Sequence, residues 1–317
     1  MKGTFLPVLM VVTAIIGLWY LAAIPMNIKE TLTEAERAGA TISGGTAVER
    51  RDAGNIALTL RNLDLAAGGW ALERPRLPAP HQVAVELYDS TIDEELFSRR
   101  GIVQSGEFSN RSLVYHGGVT LAATLLGFVI GTGLGILLAI GIVHNRTMDM
   151  SVMPWAIVSQ AVPIIAIAPM IIVVLYSVGL QGILPKAVIS AYLSFFPVVV
   201  GMVKGLRSPD AIQRDLLRTY NATDAQTLRK LRLPASVPYL FASLKIGISA
   251  SLVGAIVGEL PTGAVAGLGA RMLAGSYYGQ TVQIWSALFT AALLAAALVW
   301  AIGLIERRTL RAMGSPA

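Results

Sequence analysis

The chain has 317 residues, of which 54% are apolar and only 14% charged, with a mean hydropathy of +0.64; these values place it among integral membrane proteins. It contains no Cys, which excludes disulfides, Cys-based zinc sites and thiol nucleophiles. The net charge of +6 is spread over short loops between apolar runs and forms no basic stripe on a soluble domain, so a nucleic-acid partner is excluded.

Phe5 to Met26 is an apolar run of 22 residues, enough at about 1.5 Å per residue to span a hydrocarbon core of roughly 30 Å. A signal peptide is the rival reading. The run exceeds a typical h-region and ends without a small-x-small cleavage site, so an uncleaved first helix (1–26) is expected. Residues 27–113 then form the one soluble-like portion, with 13 acidic against 9 basic side chains between Asn27 and Asn110. Within it, Ser43-Gly44-Gly45 reads as a turn, and Ile56-Ala57-Leu58-Thr59-Leu60 alternates like a strand. The stretch from about Lys29 to Trp70 is either a small lobe that touches a partner or a poorly ordered surface insertion.

Five further spans follow, near Val114–Val143, Val152–Val178, Leu184–Val203, Val237–Leu260 and Val282–Leu304, within a core of residues 114–306 and ahead of a tail at 307–317. Six crossings put both termini on one side. Lys2, Arg146, the basic residues of 204–232, Arg307, Arg308 and Arg311 fall on that side, whereas the short loops opposite carry only Lys186 and Arg271. The positive-inside rule therefore makes both termini and the 204–236 loop cytoplasmic.

Gly127, Gly131, Gly135 and Ala139 recur every four residues along the second span, a smooth ridge for a second helix to approach. Gly131-Thr132-Gly133-Leu134-Gly135 has the spacing of part of a dinucleotide loop, but it lies in an apolar helix with no preceding strand. The third span holds Pro154, Gln160, Pro163 and Pro169. Proline at membrane depth frees carbonyls that line cavities, and an uncharged amide can bond a polar solute, so Gln160 and Pro163 are candidates for a pathway wall. Glu259, beside Leu260 and Pro261, is an outer gate or a solvated helix end. Lys245 is expected to snorkel. His81, His116 and His144 are separated from one another, with no metal-ligand spacing, and no metal or catalytic site is assigned.

The loop of residues 204–236 carries the most specific pattern. Ser208-Pro209-Asp210 has the residues of a helix start, with Ser208 as N-cap, and Thr223-Asp224-Ala225-Gln226 those of a capping box. Asn221 is placed to turn the chain, and Leu233-Pro234 to stop the second helix. This layout resembles the signature loop of permease subunits of ATP-driven importers, E-A-A, three residues, G, nine residues, I-x-L-P. Asp215 stands for the Glu, Leu216 and Leu217 for the Ala pair, Asn221 for the Gly, and Leu231, Leu233 and Pro234 for I-x-L-P. Leu77-Pro78-Ala79-Pro80-His81-Gln82-Val83 resembles the family's L-P-x-P-x-x-V element ahead of a short amphipathic helix. Gln160–Ala166, Phe195-Phe196-Pro197, Leu233–Phe241 and Val253–Glu259 are similar to the nitrate, sulfonate and taurine group, and most to its branch for pyrimidine-type thiamine precursors.

The resemblance implies an all-α, type I importer permease fold with six transmembrane helices and an extended periplasmic segment, in a bacterial inner membrane. It implies that the loop couples to a dimer of ATPase subunits, that a second permease subunit pairs with this one, and that a periplasmic binding protein delivers the solute. None of the six Lys residues precedes Ser or Thr, so a phosphate loop is missing, and ATP and Mg are expected on the partner ATPase with no cofactor in this chain. The solute expected is a pyrimidine-like heterocycle, with taurine, an alkanesulfonate or nitrate as the alternative. An ion-coupled transporter would need mid-membrane ionisable groups, and a membrane enzyme a convergent set of His, Asp, Glu or Ser.

Overall fold

The computed structural model describes residues 2–46 and 48–314, with side chains from residue 6 onward; the side chains of Lys2 and Phe5 and the last three residues of the 307–317 tail lie outside the described residues. In chain order the elements are α1 (Lys2–Arg37), α2 (Glu49–Asp52), α3 (Asn55–Arg61), α4 (Leu63–Ala66), a 3-10 turn (Ala67–Trp70) and α5 (Pro80–Tyr88). A π turn (Asp89–Asp93), α6 (Glu94–Leu96) and α7 (Ile102–Ser105) lead to α8 (Leu113–His144), α9 (Arg146–Ser159), α10 (Ile164–Ser177) and α11 (Ile183–Leu206). Then come α12 (Ala211–Thr219), α13 (Asp224–Thr227), a second π turn (Leu228–Arg232), α14 (Leu233–Glu259), α15 (Leu268–Tyr277) and α16 (Thr281–Ala312). No strand occurs among the described residues.

Five helical segments are long and apolar enough to cross a membrane, or six if the bent pair α9–α10 counts as one span. The expected continuous third helix over Val152–Val178 is therefore corrected. It breaks between Ser159 and Ile164 with a bend of 104°. Pro163 disfavours helical backbone at Val162 and itself takes an extended ψ of 120° as the N-cap of α10.

The chain divides into two compact units. One comprises residues 1–113 with 271–289. Here α1 continues past Met26 to Arg37, about 16 Å beyond the apolar run, and the segment that follows folds back on it. Ile28 and Leu32 of α1, Leu58 of α3 and Ala66 of α4 form a buried core. Two buried asparagines staple this lobe. Asn27 donates to the carbonyls of Gly69 (3.0 Å) and Leu77 (2.8 Å) and accepts from the Leu77 amide (2.9 Å). Asn62 accepts from Ser43 N (2.9 Å) and donates to Ser43 O (2.8 Å). The strand expected at 56–60 is instead the helix α3, because burying Leu58 alone against α1 satisfies a pattern too short to fix a period. Residues 43–45 do form a bend, with Gly44 and Gly45 at positive φ. α5 starts at Pro80 within the Leu-Pro-Ala-Pro element, and Trp19 packs against Trp285 and Phe289 at ring separations of 4.9 and 5.7 Å.

The second unit, residues 114–270 with 290–317, is built around the α11–α14 pair. α8 lies against α11 along its glycine ridge. A Cβ on Gly131 would sit 2.8 Å from the Ala191 carbonyl, and one on Gly135 would sit 2.9 Å from both the Phe195 carbonyl and Val198 Cβ; Gly127 meets Ser190 in the same way. Only a bare backbone permits this approach. Ala139, Ile142, Val198, Val199, Met202, Val203 and Leu206 form the core at one end of these helices, while Ala168 and Ile172 of α10 pack on Ile189 of α11.

Candidate functional sites: a basic hairpin and a buried polar seam

The loop between α11 and α14 is a helical hairpin. Ser208 Oγ donates to the Gly205 carbonyl (2.7 Å), so it closes α11 and is not the N-cap expected of it. That position belongs to Asp210, whose amide donates to the Gln213 side-chain carbonyl (3.2 Å). At the other end of α12 the amides of Asn221 and Ala222 reach the carbonyls of Arg218 (2.9 Å) and Leu217 (3.0 Å), and Asn221 has φ of +50°. It is the one non-glycine at positive φ among the described residues, and it closes α12 as a left-handed C-terminal residue. Thr223 and Gln226 form the reciprocal capping box, at 2.9 and 3.3 Å.

Leu233-Pro234 does not stop the second helix, which corrects the expectation above. α13, the π turn and α14 run on as one helical segment of 36 residues, Asp224–Glu259. A proline ring clashes with the carbonyl four residues back; the wide turn over Leu228–Arg232 relieves that clash at Lys230 and lets the helix continue. Leu228 and Leu233 pack on the core of the unit.

The outer face of α12 is apolar as well as charged. Ile212, Leu216 and Tyr220, four residues apart, are 83%, 56% and 77% exposed. Asp215 is exposed beside them and pairs with Arg218 at 3.4 Å, an exposed contact of small energetic weight. Leu217 and Leu231 are half-buried. Arg207 pairs with Asp149 of α9 at 2.8 Å and, with Arg214 and Arg232, borders a cationic cavity of about 340 Å³.

The second site is a polar seam along one face of α8. Glu259, at the end of α14, is wholly buried, which removes the solvated helix end from the two alternatives. Thr120 Oγ donates to its Oε1 (2.8 Å) and the Gly269 amide to its Oε2 (2.7 Å). The Leu268 amide donates to Thr120 Oγ (2.9 Å), and the Gly267 amide to His116 Nδ1 (3.0 Å). Gly267, at φ of +130°, leaves room for the carboxylate where any Cβ would collide with it. Lys186 of α11 reaches the Ala266 carbonyl at 3.5 Å. One turn further along α8, Ser251 Oγ of α14 donates to the Thr124 carbonyl (2.9 Å) and meets Ser190 Oγ of α11 at 2.5 Å, joining three helices. Sequence reasoning assigned His116 no role and did not single out Thr120 or Thr124, although the three recur every four residues just ahead of the glycine ridge that starts at Gly127.

Gln160 is the C-cap of α9 and Pro163 the N-cap of α10, so both sit at the sharp bend. Gln160 is half-buried with its Nε2 unbonded among the described residues, while Pro163 is exposed. Lys245, expected to snorkel, has a partner near the end of α16, Glu306, with which it forms an ion pair. No group of three or more potential metal ligands occurs among the described residues.

Apolar helices stitched by buried hydroxyls, with an exposed basic hairpin on one end, define a multi-pass all-helical membrane protein. Residues 131–311 match the model of the binding-protein-dependent transport system inner membrane component. The chain belongs to that family of ABC transporter permeases, subunits that are themselves non-catalytic. It is 30% identical to a probable ABC transporter permease protein of Haemophilus influenzae, over 67% of this chain and 85% of the relative. It is 32% identical to a riboflavin transport system permease protein of Chloroflexus aurantiacus, over 64% of this chain and 74% of the relative. It is 31% identical to a formylaminopyrimidine transport permease protein of Halalkalibacterium halodurans, over 61% and 68%. The crystal structure of an amino acid ABC transporter with histidines shares the fold, with a TM-score of 0.50 at 18% identity, covering 62% of this chain and 93% of that one.

Proposed function

We infer that this importer permease carries a small, largely neutral heterocycle of the pyrimidine kind from a periplasmic binding protein to the cytoplasm. One observation carries the solute class. Within the apolar helices the charge of Lys245 is matched by Glu306, so it offers no fixed counter-charge to a strongly anionic solute. The relatives named for riboflavin and formylaminopyrimidine support the same class. Gln160 and Pro163, at the bend between α9 and α10, line the pathway, and the unbonded Gln160 amide is the group that meets a polar solute. Glu259 acts at the outer gate by clamping the 260–269 segment to α8.

The 204–236 hairpin is the coupling element. Asp215, Leu216, Leu217, Asn221, Leu231, Leu233 and Pro234 occupy the signature positions, and the Ile212–Leu216–Tyr220 face offers a partner an apolar surface rimmed by charge. Two ATPase subunits hold ATP and Mg there, a second permease copy or paralogue completes the pathway, and both termini of this chain are cytoplasmic in a bacterial inner membrane. Nucleotide-driven closure of the ATPase pair moves the hairpin, and α14 carries the displacement to the opposite end of the bundle.

Uptake of labelled pyrimidines, taurine and nitrate, in cells carrying the whole system, tests the substrate. Pyrimidine uptake that depends on the binding protein is expected. Taurine or nitrate uptake without pyrimidine uptake overturns the solute class and leaves the family membership untouched.

A further inference from the structure

The lobe of residues 27–70 lies outside the region matched by the family model, and it carries two cavities lined by consecutive stretches of α1. The first, about 540 Å³, is bordered by α1 and α2 and is strongly basic. Five cationic side chains line it, against Glu30 and Glu34. Two of the cations are neutralised, Arg76 by Glu30 at 2.6 Å and Arg50 by Glu36. Lys29 donates to a neutral acceptor, the Arg51 carbonyl, at 2.7 Å. Among the described residues, Arg37 and Arg51 have no acidic partner, so Lys29, Arg37 and Arg51 face the single carboxylate of Glu34.

The second cavity, about 780 Å³, is almost wholly apolar and lies between Pro25 and Met26 of α1 and Ile56, Ala57 and Leu60 of α3. Ile56 and Leu60, one turn apart on α3, are 70% and 66% exposed. Met26 is the last residue of the apolar run, and Lys29 lies one turn further along the same helix, about 4.5 Å. If the hydrocarbon ends with the apolar run at Met26, the apolar groove opens at that boundary and the basic cavity begins one turn above it at Lys29, with Arg37 two turns further out and reaching back toward it. This order of chemistry along the helix axis, acyl-sized and dry below, cationic above, matches one kind of molecule already present at that depth.

We propose that the lobe binds an anionic phospholipid, with an acyl chain along Met26, Ile56 and Leu60 and the phosphodiester beside Lys29, Arg37 and Arg51. The guanidinium groups give the forked donors a phosphate takes, and the lysine adds a point charge. A bound lipid of this kind also covers the face of α3 that is otherwise left apolar in water. The lobe is thereby fastened to the membrane surface next to the first span.

The full chain, purified with its ATPase partner and exchanged into nanodiscs of equal phosphatidylglycerol and phosphatidylcholine, tests this through the lipid retained after detergent washing, counted by mass spectrometry. Wild type is expected to retain phosphatidylglycerol selectively. The R37Q/R51Q variant is expected to lower that selectivity about 30-fold, from about fivefold for each cation at an anionic surface. I56S/L60S is expected to lower retention of both lipids, and inorganic phosphate in excess to displace neither. All four side chains are exposed and none belongs to the lobe's buried core, so folding is preserved. Unchanged phosphatidylglycerol retention in R37Q/R51Q overturns the proposal. So does displacement by phosphate with I56S/L60S silent, which indicates a soluble anion, or unchanged retention with weakened docking of the binding protein, which indicates a protein partner.

Discussion

Replacing Glu259 separates a structural carboxylate from an incidental one. In Glu259→Ala the Gly269 amide loses its acceptor outright and Thr120 Oγ loses its acidic partner, both in a buried site. At about 1–3 kcal/mol for each buried group left unpaired, the loss sums to about 2–6 kcal/mol. Glu259→Gln behaves differently, because the amide oxygen can keep the Gly269 bond while its NH₂ donates to Thr120 Oγ. That hydroxyl can then rotate its own proton to the His116 carbonyl, 3.2 Å away. Only the charge assistance disappears, about 1–3 kcal/mol over two bonds. Unfolding in mixed micelles titrated with SDS, followed by circular dichroism, should rank wild type above Gln and Gln above Ala. Thr120→Val combined with Glu259→Ala should be less harmful than the sum of the two, with a coupling of about 0.5–3 kcal/mol. Glu259→Ala unfolding at the wild-type SDS fraction, or strict additivity with Thr120→Val, would refute the clamp.

On the docking reading, Asp215→Lys should abolish solute-stimulated ATP hydrolysis in reconstituted complexes while the chain still inserts, and normal transport by that variant would remove the assignment; Asn221→Gly, which relieves the left-handed backbone, should transport normally and gain about 1 kcal/mol at most. Burial raises the Glu86 carboxyl above its usual value of 4.5, offset in part by Arg271 and reinforced by Asp89. A carboxyl raised in the folded state contributes stability below 4.5 that is lost as pH rises through the raised value, so wild type should lose stability relative to Glu86→Gln over that window, and parallel pH profiles would contradict the shift.

Much of the architecture was legible because lipid-length apolar runs and loop charge demand it, and the hairpin was legible because Asn221 and the Thr223–Gln226 box are local signals. What failed was whatever depended on partners distant in the chain. Leu233-Pro234 is a stop signal in isolation, and only the π turn before it reveals that the helix continues. Ile56 to Leu60 alternates as well for a short helix with one buried face as for a strand, and the arbiter is the contact of Leu58 with α1. Asn27 and Asn62 are anonymous in sequence, since most of their partners are backbone groups 19 to 50 residues away. Glu259 looked interfacial because its burial is supplied by a loop and by α15, whose approach depends on Gly267. His116, Thr120 and Thr124 did leave a trace, polar residues every four in an apolar helix.

The helical run from Asp224 to Glu259 spans about 54 Å, with the π turn and Pro234 near its hairpin end. A tilt of about 10° about its midpoint would carry either tip by about 5 Å. Such a swing is larger than the 2.7 and 2.8 Å bonds that hold the far tip to Gly269 and Thr120 can stretch. On the coupling reading, a swing of α14 as one body would either drag α8 and α15 with it or break the Glu259 contacts. The bonds of Glu259 to the Gly269 amide and Thr120 are thus the contacts that such a swing would strain first.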